Sequence, residues 1–154
     1  MKVVRTSQMQ WTDALTRGRY ANRRKALGGE KLSCGLWELP PGKKSFPLHV
    51  HQITEEALFV ISGAAKVRTP DGLTAIGPGD FVSFPAGGPA HQLVNDGEVP
   101  LVYLAIGANF VGADIVEYPD TGKTACSIGA FPTGRRMIFK DQTDYTAGDP
   151  DAEG

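Results

Sequence analysis

No apolar run in the 154-residue chain approaches the roughly 18 residues needed to cross a bilayer as a helix. The N-terminus Met1-Lys-Val-Val-Arg-Thr-Ser-Gln8 also lacks the apolar stretch of a secretory signal. These absences argue against a membrane or exported protein, and the expected compartment is the cytoplasm. An excess of charge of one sign is missing too. Sixteen basic residues face 17 acidic ones, for a net charge of -1 and a sequence pI of about 6.3. Such a chain has no field to gather nucleic acid or anionic lipid, so neither is expected as a partner. Cysteine is nearly absent. Cys34 and Cys126 lie far apart and outside any CxxC pattern, which reads as two free thiols in a reducing compartment. The length suits one well-buried core and is too short for two ordinary domains.

Glycine (19) and proline (11) are plentiful, with β-branched and aromatic runs between them. That composition fits a turn-rich all-β domain. Strands are expected over 32–39, 46–51, 57–61, 64–69, 73–76, 80–84, 90–94 and 101–106, with a weaker one over 114–117. Pro70-Asp71-Gly72 marks a hairpin. Residues 1–30 read as an N-terminal arm, either extended or with one short helix around 11–16. They are too short and too poorly patterned for a helix-turn-helix domain. Residues 31–118 form the β domain. Residues 119–154 read as an irregular loop and tail, acidic and Gly-rich from Asp141, with the last residues disordered. No internal repeat is present. The one basic run, Arg17, Arg19, Arg23, Arg24 and Lys25, reads as a solvated edge or, alternatively, as a contact for a substrate carboxylate or phosphate.

Histidine is scarce as well, and its placement is the most informative feature. The chain has three, in Pro47-Leu-His49-Val-His51 and Gly88-Pro-Ala-His91. In a strand, residues i and i+2 share a face, so His49 and His51 project together. A turn over 52–55 lets Glu56 face the same interior, and a Gly/Pro loop fixes the entry of His91. A His-x-His pair alone also occurs on ordinary strands, and Glu55-Glu56 alone would be a solvated turn. Together the four residues point to one site of three imidazoles and one carboxylate. Such a set suits one divalent transition ion per chain, Mn, Fe, Zn, Ni or Co. An octahedral ion there keeps two open positions for a chelating ligand or for substrate plus dioxygen. Tyr103, mid-strand in Leu101-Val-Tyr-Leu-Ala105, is a candidate general acid if it points inward. Its plainer reading is a packed core tyrosine. Tyr118-Pro-Asp120 with Lys123 forms a polar loop, read as a lid, a dimer contact or plain surface. Phe46, Phe59, Phe81 and Phe84 fit apolar lining or core, and Cys34 a small buried thiol.

Two segments resemble the motifs of the cupin superfamily. The first is Gly42-Lys-Lys-Ser-Phe-Pro-Leu-His49-Val-His51-Gln-Ile-Thr-Glu-Glu56-Ala-Leu-Phe-Val-Ile-Ser-Gly63, and the second runs from Gly79-Asp-Phe-Val-Ser-Phe-Pro85 through His91 to Asn95. The resemblance implies His49, His51, Glu56 and His91 as metal ligands. Glu56 is preferred to Glu55 for its spacing from Gly63. Gly63 and Gly79 become turn glycines, and Asn95 a structural partner. Gly42 stands one residue farther from the histidine pair than is usual. The loop before His91 carries one extra residue, which leaves Gly87 and Gly88 as alternatives for one motif position. The implied fold is an all-β jelly-roll barrel of two antiparallel sheets with an N-terminal arm, over about residues 30–118. The arm is expected to cross to a second subunit, giving a homodimer. Arg23-Arg-Lys-Ala-Leu27, Glu38-Leu-Pro-Pro-Gly42 and Glu117-Tyr-Pro-Asp-Thr-Gly-Lys123 further resemble small bacterial cupins that carry a provisional sugar-phosphate isomerase label.

Fold alone does not choose a reaction. The expected function is a metal-dependent enzyme acting on a sugar, sugar phosphate or organic acid chelated at the ion, with isomerisation favoured. Iron- or manganese-dependent dioxygenase or decarboxylase chemistry is one alternative. A non-catalytic small-molecule-binding cupin is another, and a metal-free epimerase of the same fold a third.

Overall fold

In a computed structural model of the chain, which describes residues 1–28, 31–108, 112–128 and 135–139, nearly every regular element is a strand. In chain order the described strands begin with β1 (Thr12–Arg17), β2 (Tyr20–Ala26), β3 (Leu32–Leu39), β4 (Val50–His51), β5 (Glu56–Ser62) and β6 (Ala65–Thr69). They continue with β7 (Gly72–Ile76), β8 (Phe81–Phe84), β9 (Gln92–Val94), β10 (Leu101–Ala108), β11 (Ala113–Tyr118), β12 (Lys123–Ile128) and β13 (Arg135–Phe139). A six-stranded sheet has the order β1-β2-β3-β10-β5-β8. The rest of the barrel is in two pieces, β13-β12-β11-β4 and β7-β6-β9. An antiparallel bridge between His49 and His91 joins those pieces. All strand pairings are antiparallel, as the jelly roll requires.

Period-two alternation sets what faces the core. On β5, Leu58 and Val60 are buried while Phe59 and Ile61 are exposed. On β10, Leu101 and Tyr103 point inward and pair in register with Leu39 and Trp37 of β3. These residues, with Val67, Ile76, Phe84 and Leu93, form the main core cluster. Each fully buried Leu or Val contributes roughly 1.5–3 kcal/mol relative to exposure. Phe59 and Phe81, expected as core or lining, lie opposite each other on the outer face of the sheet. The same register that buries Leu58 turns Phe59 out.

Of the two readings of the N-terminal arm, the extended one holds, and of the strand expected over 46–51 only Val50–His51 forms. β1 and β2 form a hairpin turning at Gly18, whose φ of +58° an L side chain adopts poorly. β2 then pairs with β3 of the same chain. No residue of β1 is buried, so pairing holds it in place, together with Trp11 packed under Arg23 and Lys25. Beyond Pro119, where irregular chain was expected, β12 and β13 extend the sheet that carries β4. The acidic tail from Asp141 lies outside the described residues.

Motif residues with structural roles behave as expected. Gly63 has a φ of +78°, and a Cβ there would lie 2.2 Å from the Pro100 carbonyl oxygen. Between the two alternatives before His91, Gly87 takes the left-handed conformation (φ +65°), and its N–H donates to the His51 carbonyl. Asn95 is fully buried. Its Nδ2 donates to the carbonyls of Leu39 and Val99, and its Oδ1 accepts from Gly97 N–H.

Candidate metal centre

β4 spans only Val50–His51, and the chain before it bends so that His49 sits in the bridge to His91. Two backbone hydrogen bonds hold that bridge, His49 N to His91 O at 3.2 Å and His91 N to His49 O at 2.8 Å. Val50 is buried on the opposite side. Glu56 opens β5, in register with Phe84 of β8 and Gly107 of β10. One carboxylate oxygen, Glu56 Oε2, therefore lies 3.9 Å from His49 Nε2, 3.6 Å from His51 Nε2 and 3.4 Å from His91 Nε2. Donor atoms of His49, His51 and Glu56 all fall within 4.8 Å of one another. His91 approaches the same oxygen with its ring stacked on Phe84, centroids 3.7 Å apart.

The partners of the other ring nitrogens fix two tautomers. His49 Nδ1 faces the Pro47 carbonyl oxygen at 2.8 Å, and His51 Nδ1 faces Asp114 Oδ2 at 2.5 Å. A carbonyl or ionised carboxylate only accepts, so each Nδ1 carries the proton and each Nε2 offers its lone pair to the centre. His91 Nδ1 is buried with no partner among the described residues. Burial is the main cause that pushes the His49 pKa down to about 4, against the pull of Glu56 and with help from the neighbouring imidazoles. Burial by itself would raise Glu56. The hydrogen bond from His91 and the imidazoles around it outweigh that and bring it to about 2. Both groups are thus in ligating form at neutral pH. Neutral imidazoles and one carboxylate are a donor set that fits a first-row divalent ion.

The cluster lies in a cavity of about 810 Å³. Trp37, Phe46, Leu58 and Phe84 supply apolar wall. Tyr103 lines it too, and burial, with the Glu56 charge secondary, raises the phenol well above its ordinary pKa, so it stays protonated. Cys34 is not among the lining residues; its β3 neighbour Ser33 is, on the other face of the strand. At the mouth stand Arg17, Tyr20, Tyr118, Asp120, Thr121 and Lys123. Asp120 is clamped by Arg68 through contacts of 2.6 and 2.9 Å. The Tyr118 ring stacks near His49, centroids 6.2 Å apart. Arg68 thus ties the loop after β11 to β6. The basic run divides: Arg23 pairs with Glu38 at 2.8 Å, Lys25 donates to the Thr6 carbonyl, and Arg17 reaches the cavity.

Sequence reasoning missed Asp114. It shares the buried face of β11 with Val116, so a carboxylate in phase with a core residue was the available signal.

An antiparallel jelly-roll barrel whose cavity gathers three histidines and a carboxylate is the architecture to set beside known proteins. Residues 35–107 match the family model described as the cupin domain. The chain is similar to a protein from Acidithiobacillus ferrooxidans provisionally named a sugar phosphate isomerase (27% identity, TM-score 0.79, covering 92% of this chain and 95% of that one). A sugar phosphate isomerase of the cupin superfamily from Silicibacter pomeroyi shares the fold (23% identity, TM-score 0.78, coverage 91% and 93%). So does a predicted oxalate decarboxylase from Thermotoga maritima (22% identity, TM-score 0.62, coverage 70% and 98%). No curated protein matches the chain. No helix of the described residues is long and apolar enough to cross a membrane.

Proposed function

We propose that the chain is a metal-dependent enzyme that isomerises a small sugar or sugar phosphate, with His49, His51, Glu56 and His91 as the ligands of one divalent ion. The carrying observation is the convergence of three Nε2 atoms on Glu56 Oε2 inside a cavity large enough for such a metabolite. When bound, the ion supplies Lewis acidity that polarises a substrate carbonyl. Tyr103, kept protonated in the wall, donates its proton as general acid to the oxygen on which negative charge develops and takes it back when the carbonyl re-forms. The apolar wall excludes water. At the mouth, the Arg17 and Lys123 side chains have no ion pair or hydrogen bond among the described residues, whereas Asp120 is already neutralised by Arg68. Two cations lining the same cavity as the cluster favour a substrate with an anionic tail. The similarity to the Acidithiobacillus protein points the same way.

The test is solvent deuterium incorporation into a panel of aldose and ketose phosphates, followed by NMR. Exchange at the carbon beside the carbonyl is expected, slowed about 10²- to 10⁴-fold in Tyr103→Phe with metal content unchanged. Oxygen consumption or carbon dioxide release from organic acids would instead make it a dioxygenase or decarboxylase. Tight binding without turnover would make it a carrier or sensor.

We further propose a cytoplasmic homodimer. The support is the outer face of the six-stranded sheet, where Phe59, Ile61 and Phe81 are 39%, 45% and 63% exposed beside Leu36 and Leu104. An apolar face of this kind suits a second copy of itself. Light scattering should give twice the chain mass, falling to one chain in Phe81→Glu.

A further inference from the structure

Each histidine of the cluster is braced differently behind its ring: His49 by a backbone carbonyl, His51 by a carboxylate, His91 by nothing among the described residues. The carboxylate comes from far along the chain and is itself held. β11 pairs antiparallel with β4, Val116 opposite His51 and Glu117 opposite Val50, and Gln52 N–H donates to the Ile115 carbonyl. That register puts Asp114 on the same face as Val116, diagonal to His51. Its Oδ2 accepts from His51 Nδ1–H, and its Oδ1 accepts from Ile53 N–H at 3.1 Å. Side-chain exposure is low on both sides, 14% for His51 and 11% for Asp114.

We infer that Asp114 is a positioning residue of the metal centre, locking His51 in the Nδ1–H tautomer so that Nε2 faces the ion. The inference rests on the metal reading proposed above. A carboxylate behind a ligating imidazole fixes its orientation and raises its basicity, and its loss typically costs 10- to 100-fold in metal affinity.

Substitution by Asn makes a sharp test. With its Oδ1 kept on Ile53 N–H, the new amide nitrogen faces His51 Nδ1 and forces the proton to Nε2. With the amide reversed, two N–H donors oppose each other at Ile53. Substitution by Ala removes the brace and leaves His51 free to choose its tautomer. Positioning therefore predicts an unusual order of Co(II) affinity, read by chelator competition and the visible spectrum: wild type tightest, Asp114→Ala intermediate, Asp114→Asn weakest. The Asn variant should bind roughly 10- to 100-fold more weakly than wild type. A merely structural role predicts the reverse order of the two variants, because Ala removes more contacts. In metal-free protein, ¹⁵N NMR of His51 should show Nδ1–H in the wild type and Nε2–H in Asp114→Asn. Equal Co(II) affinity in wild type and Asp114→Asn, or an Ala variant weaker than Asn, would overturn the positioning role while leaving the metal reading intact. Failure of wild type to bind Co(II) would remove the metal reading, and the NMR tautomer alone would then decide whether Asp114 sets His51.

Discussion

The floor and the mouth of the cavity are built in different ways. The floor is made of strand residues in strict alternation: Trp37, Leu58 and Tyr103 from three neighbouring strands, with Glu56 at the head of β5. The register of the six-stranded sheet fixes each position. The mouth is made of strand ends and turns. Arg17 ends β1, Lys123 begins β12, and Asp120 lies in the loop between β11 and β12. What holds the mouth is charge: the Arg68 clamp on Asp120 and a few exposed cations. The apolar wall and Glu56 are thus placed on the six-stranded sheet, while His49 and His91 sit in the bridge that joins the other two pieces. The charged residues of the mouth sit where substitution disturbs little of the fold.

Breaking the floor should have the largest effect. Glu56→Gln replaces the carboxylate that all three Nε2 atoms approach with a neutral amide, and metal binding should be largely lost, as read by titration with Co(II). Retained binding at wild-type affinity would mean the floor is not the metal centre. At the mouth, Arg17→Gln and Lys123→Gln should leave metal content unchanged. Each should weaken an anionic ligand about tenfold, or about 1.4 kcal/mol. Their effect should shrink with added salt, because both side chains are exposed. Equal weakening of a neutral sugar and its phosphate would remove the distinction between the two regions.

The smallest effect is on the metal-free fold. Folded His49 takes its proton only near pH 4, against 6.5 unperturbed. The unfolded chain binds that proton first, so its contribution to stability is present above about pH 6.5 and is lost as pH falls toward 4. Glu56, held at about 2 against 4.5, extends the loss below pH 4.5. Melting temperatures of metal-free protein should therefore drop between pH 7 and 5, with a shallower drop in His49→Gln. Substitution at Arg17, which only lines the mouth, should leave that slope unchanged.

The same contrast governs how much was legible in the sequence. His49 and His51 could be read together because strand geometry makes i and i+2 share a face, and Glu56 followed after one short turn. β3 was legible to the residue, bounded by Pro40-Pro41-Gly42. Asp114 was not, since only the pairing of β11 with β4 brings it to His51 across 63 positions. Nor was the outward facing of Phe59 and Phe81, because an apolar residue on a doubly apolar strand gives no phase by itself. β1, β12 and β13 escaped for a related reason. β1 buries no residue and β12 fully buries only Ala125, so cross-strand pairing and not an apolar stripe makes them strands.

The central claim is a metal held by residues from both motifs, and elemental analysis tests it most directly. The protein would be purified without added metal alongside His51→Ala, both confirmed folded by circular dichroism. About one divalent transition ion per chain is expected in the wild type and almost none in the variant. Iron or manganese would direct the substrate screen to oxygen-dependent and decarboxylating chemistry, and zinc, nickel or cobalt to isomerisation. A wild-type chain that takes up no ion even after reconstitution, or a variant that keeps its ion in full, would contradict the claim.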